Sequence, residues 1–348
     1  SYKFDGKGGQ GAPEHTHIFP LPDAYRGKYR GDNTGERYAE EVQNQIDIVH
    51  KKGRGVGAMI LEPIISCGGQ IELPEGFLTK AYEYIRAAGG LCISDEVQTG
   101  CGRMGKTFWG FQLYGVVPDI VTIGKPLGNG HPLAAVACTR EVADKFANGM
   151  EYFNTFGGNP VSCAIGTEVL RTVKREKLQE NALEVGEFLK AELTLLAQEF
   201  PIIGKVRGQG LFLGFELVDS AMEPLGKQAD YLANRMKDHG ILMSTDGPDH
   251  NVLKIKPPLV FNKENAEELI FQENEFDLVV GGAILHHLFD PAKTITECHR
   301  ILKPGCAAVF FEPFEIGNQI IALIIQYVLD MNERVYNEID PLSPEAAN

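Results

Sequence analysis

The chain has 348 residues, of which 43% are hydrophobic and 23% are charged, a composition typical of globular domains with buried cores. Its formal net charge of −14 argues against nucleic acid or an anionic membrane as the main partner. The longest apolar stretch, near 316–328, contains Asn318, Gln319 and Gln326 and is shorter than the ~20 residues of a membrane span. With no signal peptide recognisable at the start, we expect a cytoplasmic protein that acts on a small molecule.

The seven cysteines are scattered, odd in number and without C-x-x-C spacing. This pattern predicts free or buried thiols in a reducing compartment rather than disulfides or a zinc site, and no metal site is predicted. The cysteines are Cys67, Cys92, Cys101, Cys138, Cys163, Cys298 and Cys306.

The first part of the chain alternates predicted helices and strands. Apolar residues at helical spacing predict amphipathic helices over Glu36–Lys52 and Glu75–Ala88. Short apolar runs predict strands over Val56–Leu61, Leu91–Ser94 and Ile120–Ile123. This order is typical of a mostly parallel sheet with crossover helices.

Polar residues follow these strands, namely Glu62, Asp95 and Lys125. Ligands of parallel sheets bind beyond the carboxyl ends of the strands. A lysine buried at such an end would be costly unless it were paired or used covalently, and burial makes its amine nucleophilic. A carboxylate facing a pyridine nitrogen keeps that nitrogen protonated. Asp95 and Lys125 therefore suit pyridoxal phosphate (PLP) chemistry, and a salt bridge between them at the sheet edge is the alternative.

A smaller α+β unit is predicted next, with helices over Val161–Thr172, Leu178–Phe200 and Gln228–His239. Its predicted strands are Leu211–Leu217 and Asn251–Ile255.

The pattern changes again near residue 270. A strand over Phe276–Val280, a helix over Pro291–Leu302, a strand over Cys306–Glu312 and a helix over Gln319–Asn332 are predicted. We therefore expect three parts: residues 1–175, 176–270 and 271–348.

Four longer motifs point to one family. They are Asp-Glu-Val-Gln within Ile93–Arg103, Gly-Lys-Pro-Leu-Gly-Asn-Gly within Pro118–Gly130, Thr-Phe-Gly-Gly-Asn-Pro within Tyr152–Pro160, and Arg-Gly-Gln-Gly within Val206–Leu211. In this order they resemble segments of the class III (subgroup II) PLP-dependent aminotransferases. The resemblance implies the α/β fold type I of PLP-dependent transferases, with a mostly parallel large domain over 1–175 and a small α+β domain over 176–270.

The same resemblance implies a role for each matching residue. Asp95 pairs with the pyridine nitrogen, Val97 packs on the ring and Gln98 hydrogen-bonds the phenolic oxygen. Lys125 forms the Schiff base and moves protons. Thr155 binds the cofactor phosphate of a neighbouring subunit, which implies a homodimer with shared sites; a simple turn residue is the alternative for Thr155.

Two narrower segments, Glu62–Ile71 and Ser244–Pro258, resemble the branch that includes ethanolamine-phosphate phospho-lyase and 5-phosphohydroxylysine phospho-lyase. Many ω-aminotransferases hold a substrate carboxylate with an arginine three residues before the Pro-Pro pair, and a glutamate neutralises that arginine. Lys254 and Cys67 occupy those two positions here. Lysine lacks the bidentate fork of arginine, and a substrate such as phosphoethanolamine has no carboxylate to hold. Lineage drift, with Lys254 as a surface charge, is the alternative.

These features predict a phospho-lyase that acts on a phosphorylated amine through Lys125 and yields an aldehyde, ammonia and phosphate. An ω-aminotransferase is the first alternative. Arg26, Lys28 and Arg30 are candidates for a phosphate-binding patch, with a solvated basic loop as the other interpretation.

The resemblance is incomplete at both ends. The family's glycine-serine loop and its ring-stacking aromatic residue precede the point where this chain starts, so we expect a fragment, or a chain that binds PLP weakly or serves as a non-catalytic scaffold. Residues 271–348 resemble the second half of a class I S-adenosylmethionine methyltransferase, through the Phe-Asp-Leu-Val strand at 276–279 and the Leu-Lys-Pro-Gly turn at 302–305. This resemblance implies a partial Rossmann-like α/β segment at the end of the chain. A methyltransferase fragment is therefore a further alternative for the function. His286 and His287 are interpreted as a helix start rather than a metal site.

Overall fold

The computed structural model describes Phe4 and residues 9–238, 241–262, 276–282 and 302–311. The chain forms two compact units, Ser1–Ile270 and Phe271–Asn348. A further division of the first unit at residue 175 remains a prediction.

The first elements of the chain form a mixed α/β layer. In chain order they are α1 (Thr34–Lys51), β1 (Ala58–Leu61), β2 (Ile64–Ile65), β3 (Ile71–Glu72), α2 (Phe77–Ala87), β4 (Leu91–Asp95), β5 (Ile120–Ile123) and β6 (Ala135–Cys138). The main sheet has the order β1-β4-β5-β6. The predicted parallel pairing of β1, β4 and β5 is confirmed, whereas β6, which was not predicted, runs antiparallel to β5.

The core of this layer lies between its helices and strands. The apolar face of α1, with Tyr38, Val42 and Ile46, is buried together with residues of α2, β1 and β4. The contributions of α2, β1 and β4 are Phe77, Leu78, Ala81, Tyr82, Ile85, Met59 and Cys92. Burying each large side chain contributes about 1.5–3 kcal/mol, so this cluster fixes the strands whose carboxyl ends carry the candidate site.

The second half of the first unit is α-helical and then antiparallel. Its elements are α3 (Arg140–Phe146), α4 (Pro160–Arg175), α5 (Leu178–Glu199), β7 (Ile203–Gln209), β8 (Phe212–Leu217), α6 (Gly226–Lys237), β9 (Ser244–Asp246) and β10 (Val252–Ile255). Strands β7-β8-β10-β9 form an antiparallel sheet in that order, and every residue of β8 is buried. The predicted α+β unit thus contains two strands, β7 and β9, that the prediction lacked.

Helix α4 begins at the Gly-Gly-Asn-Pro motif for a local reason. Asn159 caps the helix, since its side-chain oxygen accepts a hydrogen bond of 2.9 Å from the Ser162 amide. Pro160 occupies the first turn, where its missing N–H leaves no hydrogen bond unmade.

In the second unit, β11 (Phe276–Gly282) and β12 (Leu302–Phe311) pair in parallel. The expected Leu-Lys-Pro-Gly turn is wrong, because residues 302–305 belong to β12, which was predicted to begin at Cys306. The register shifts between the pairs Phe276–Leu302 and Leu278–Ala307. Pro304, which has no N–H to donate to a ladder, lies within this shifted stretch. Residues 291–301 and 319–332, where helices were predicted, lie outside the described residues.

None of the helices in the described ranges combines the length and the apolarity that crossing a bilayer requires.

Candidate functional site

Lys125 lies directly after β5 in a strained backbone conformation. Its φ angle is +28°, and the short 3-10 turn Lys125–Leu127 begins there. A non-glycine residue with positive φ costs about 1–2 kcal/mol, and such strain concentrates at functional sites. The side chain of Lys125 is exposed among the described residues, so burial does not activate its amine there.

Asp95 ends the neighbouring strand β4, opposite Thr122 in the parallel register. Its Oδ1 accepts hydrogen bonds from the Val97 amide at 3.0 Å and the Thr122 hydroxyl at 3.2 Å. No described residue hydrogen-bonds Oδ2, and no ion pair joins Asp95 to Lys125 in the described ranges, so the salt-bridge alternative is not formed. One oxygen fixes the carboxylate and the other is open to a ligand.

Val97 connects these two residues. A Cβ placed on Gly124, the residue before Lys125, would lie 3.5 Å from both Val97 methyl groups. Val97 therefore lies against the backbone that leads into Lys125. The structure thus brings together three of the predicted site residues.

Gln98 begins a chain of hydrogen bonds toward β1. Its Nε2 donates to the Ser66 hydroxyl at 3.0 Å and lies 4.0 Å from the Cys67 thiol. Ser66 in turn donates to both oxygens of Glu62, at 2.7 and 2.9 Å. Burial and the nearby charge of Asp95 raise the pKa of Glu62, although the bonds from Ser66 oppose that shift.

Lys256 was missed by the sequence interpretation and lies at this site. Its amine donates to the Gln98 side-chain oxygen and stands 4.4 Å from the centre of the Phe212 ring. Burial, followed by the positive charges of Arg103, Lys254 and Lys125, lowers the pKa of Lys256 to about 7. Its place directly before the Pro-Pro pair, just after β10, gave no signal of this contact, which joins residues 158 positions apart.

The two positions that replace the aminotransferase carboxylate-binding pair lie on connected segments. Lys254 forms an ion pair of 3.0 Å with Asp246. Gln70 donates to Asp246 at 2.8 Å and to the Ser66 carbonyl at 2.9 Å. Cys67 is exposed, next to Ser66. Lys254 is therefore neutralised by a fixed carboxylate rather than being a free surface charge.

The basic loop is not a free phosphate-binding patch. Arg26 bonds Glu216 and Asp249, and Lys28 donates to Glu41 at 2.7 Å. Arg30 donates to the backbone carbonyls of Gly27 and Arg26, at 3.5 and 3.0 Å. Local partners in the fold occupy these cations, which sequence spacing could not show.

Thr155 lies apart from the lysine. It is exposed, in a turn that Asn154 stabilises by accepting hydrogen bonds from the Phe156 and Gly157 amides. No described contact joins Thr155 to Lys125 or Asp95. Its contribution to a neighbouring subunit's site remains a prediction.

Two charged residues hold the segment between Asp95 and Lys125. Buried Glu96 accepts four hydrogen bonds, from the Ser94 and Thr99 hydroxyls and the Gly110 and Phe111 amides. Arg103 donates to the carbonyls of Leu211 and Pro257, at 2.9 and 2.8 Å. Burial lowers the pKa of Arg103 to about 10. These hydrogen bonds hold the loop in its conformation.

The cysteines within the described ranges are free thiols: Cys67, Cys92, Cys101, Cys138 and Cys163. Burial raises the pKa of Cys92 to about 12 and that of Cys101 to about 11, so both stay protonated at neutral pH. No group of three or more potential metal ligands occurs among the described side chains. His286 and His287 lie outside them.

A lysine at a strained strand end, beside an aspartate with an open oxygen, fits a PLP site. The protein is thus of the class that holds PLP at the carboxyl edge of a mixed α/β sheet. Residues 6–273 match the family described as Aminotransferase class-III, and the chain belongs to this family. Members of the family use PLP.

Relatives of known name include aminotransferases and a phospho-lyase homologue. The chain is 48% identical over 278 residues to an alanine–glyoxylate aminotransferase 2-like protein of Drosophila melanogaster, covering 77% of this chain and 56% of that protein. It is 43% identical over 286 residues to ethanolamine-phosphate phospho-lyase homolog 1 of Caenorhabditis elegans, covering 77% and 61%. The chain therefore spans little more than half the length of these relatives.

Solved structures give the same family. A phospholyase from Arthrobacter in complex with phosphoethanolamine has a TM-score of 0.70 and 38% identity, with 74% of this chain and 62% of that chain covered. An aminotransferase from Bacillus anthracis has a TM-score of 0.63 and 33% identity, with 71% and 58% covered.

Proposed function

We propose that this protein is a PLP-dependent phospho-lyase that acts on a phosphorylated amine such as phosphoethanolamine. The observation that carries the proposal is the pairing of Lys254 with Asp246, while Cys67 stands where a neutralising glutamate would be needed. A substrate amine without a carboxylate needs neither an arginine to bind that carboxylate in a bidentate manner nor a glutamate to neutralise the arginine. The likeness to a phospholyase that was solved with phosphoethanolamine supports the same substrate class.

When bound, PLP supplies an electron sink for the carbon that carries the amine. The amine of Lys125 removes a proton from that carbon. With PLP bound, the open oxygen of Asp95 would hold a proton on the pyridine nitrogen, Val97 would pack on the ring, and the Nε2 of Gln98 would donate to the phenolic oxygen. The phosphate leaves from the neighbouring carbon, and water then releases an aldehyde and ammonia.

An ω-aminotransferase is the second candidate, supported by the relatives named alanine–glyoxylate aminotransferase. It would share proton removal by Lys125 but would pass the amino group to a keto acid and release no phosphate.

The test is incubation of the chain with PLP and phosphoethanolamine, with and without a keto acid. We expect release of inorganic phosphate and acetaldehyde without a keto acid, and loss of both in Lys125→Ala. Amino transfer without phosphate release would establish the aminotransferase instead. Absence of any Lys125-dependent visible absorbance band with PLP would favour the scaffold.

We also propose a homodimer in which Thr155 reaches the cofactor phosphate of the other subunit. Support comes from a run of large apolar side chains around Thr155 that are 66–82% exposed. They are Phe146, Met150, Tyr152, Phe153, Phe156 and Val161. A concentration of exposed large apolar side chains is typical of an interaction site.

Two earlier expectations remain separate hypotheses. The cytoplasm as the compartment is one, and relatives named mitochondrial offer the organelle as its alternative. A methyltransferase-like origin of residues 271–348 is the other, supported by the Phe-Asp-Leu-Val strand and by the parallel β11–β12 pair, and a binding titration with S-adenosylmethionine tests it.

A further inference from the structure

Lys256 differs from the other cations around the candidate site. Lys254 is paired with Asp246, Arg103 donates to backbone carbonyls, and Lys125 is assigned to the cofactor. In the described ranges, no carboxylate forms an ion pair with Lys256, whose hydrogen bond goes to the neutral side chain of Gln98. An ammonium group has three donors, so two remain for a ligand.

The charges around Lys256 are unbalanced. Positive charge faces it from Arg103 in the loop after β4, from Lys254 on β10 and from Lys125 after β5. The facing carboxylates are Asp246 on β9, already bonded to Lys254, and Glu62 after β1. A partly buried cation without a paired carboxylate is unfavourable, and an incoming anion would reduce that cost.

Lys256 also lies beside Gln98, a residue predicted to contact the cofactor. Its bond to the Gln98 oxygen turns the Nε2 of Gln98 toward Ser66, at the edge where Gln98 is predicted to meet the cofactor ring. An anion held by the two remaining N–H groups of Lys256 would lie beside that edge.

We propose that Lys256 binds the phosphate group of the substrate, and the inorganic phosphate after its release, at this edge. The inference rests on the proposed phospho-lyase function and identifies the residue that gives it specificity for phosphorylated amines. Because the free amine is only partly protonated near neutral pH, anion binding takes up a proton at alkaline pH.

The test is a calorimetric titration of the PLP-saturated chain with inorganic phosphate and with sulfate, whose charge is constant between pH 6 and pH 8. We expect sulfate affinity to fall about tenfold from pH 6 to pH 8, since a lysine with a pKa near 7 loses its charge in that range. Lys256→Met should weaken binding of both anions at pH 6 by about tenfold or more. Lys256→Arg should retain binding without the pH dependence, because arginine stays protonated.

Lys80→Met is the matched control, because Lys80 is exposed and paired with Glu83; its affinities should equal those of the wild type. The proposal is overturned if the wild type binds neither anion, if Lys256→Met binds them equally well, or if Lys256→Arg keeps the pH dependence. Lys256-dependent anion binding without phosphoethanolamine cleavage would refute only the phospho-lyase function. Cleavage with an unchanged KM in Lys256→Met would refute only the role of Lys256.

Discussion

Lys125 combines an exposed side chain with a backbone conformation that glycine would adopt without strain. Lys125 therefore destabilises the folded state, and the destabilisation comes from its backbone conformation rather than from its amine. Substitutions at position 125 can separate the effect of the backbone strain from the effect of losing the amine.

We predict that Lys125→Gly is more stable than Lys125→Ala by about 1 kcal/mol, although both lack the amine. The measurement is the free energy of unfolding in urea. As a control, Glu192→Gly at an exposed position within α5 should be less stable than Glu192→Ala by about 1 kcal/mol. The same order of Gly and Ala at both positions would contradict the strain at Lys125.

At the scale of residues, contiguous motifs place Asp95, Val97, Gln98 and Lys125 at neighbouring strand ends, as the structure does, while their roles remain predictions. Lys256 could not be found in this way, since its contact with Gln98 spans 158 residues of chain. That contact depends on how the antiparallel sheet packs near β4, which no local pattern records. The exposure of the Lys125 side chain could not be predicted from the sequence either, because it depends on which residues cover the end of β5.

At the scale of elements, glycines set how closely two helices approach their neighbours. A Cβ on Gly186 of α5 would lie 2.2 Å from the Gly210 carbonyl oxygen, a backbone atom that cannot rotate away. A Cβ on Gly166 of α4 would lie 2.4 Å from a methyl group of Leu133, with the next neighbour at 3.7 Å. The first contact is rigid and the second can adjust.

Gly186→Ala should therefore destabilise the protein by about 1–3 kcal/mol through overpacking, despite the higher helix propensity of alanine. Gly166→Ala, its matched control, should be nearly neutral or stabilising by up to about 1 kcal/mol, because Leu133 can change rotamer. Thermal and urea unfolding of both variants would check this. Equal losses in the two would show that the approach of α5 to Gly210 is not rigid.

Elements differ in how well the sequence predicted them. The long helices α1, α4 and α5 follow from apolar periodicity within a few residues at each end. The short strands β6, β7 and β9 do not. β7 carries Lys205 and Arg207 within its apolar run, and Arg207 is nevertheless buried because Glu216 of β8 pairs with it at 2.7 Å. When the charged residues of a strand are neutralised by ion pairs with a neighbouring strand, the strand shows no alternating hydrophobic pattern in its own sequence.

At the scale of the whole molecule, the acidic net charge of −14 coexists with the exposed apolar run around Thr155. We predict that light scattering after size-exclusion chromatography gives twice the mass of the chain. Phe153→Asp combined with Phe156→Asp should yield the single-chain mass, because two buried charges would face the interface. Val117→Asp, at an equally exposed valine elsewhere, should leave the mass doubled. A monomeric wild type would refute the dimer.

Arg103 and Leu211 are joined in both directions, since the Leu211 amide donates to the Arg103 carbonyl at 3.1 Å while the Arg103 guanidinium donates to the Leu211 carbonyl. The loop between Asp95 and Lys125 and the start of β8 therefore cannot part without breaking both bonds at once. In the language of native-state hydrogen exchange, they belong to one cooperative opening unit. The Leu211 amide proton would exchange only when the loop after β4 separates from the start of β8. Cofactor binding at the end of β4 would therefore slow the exchange of an amide proton next to the antiparallel sheet.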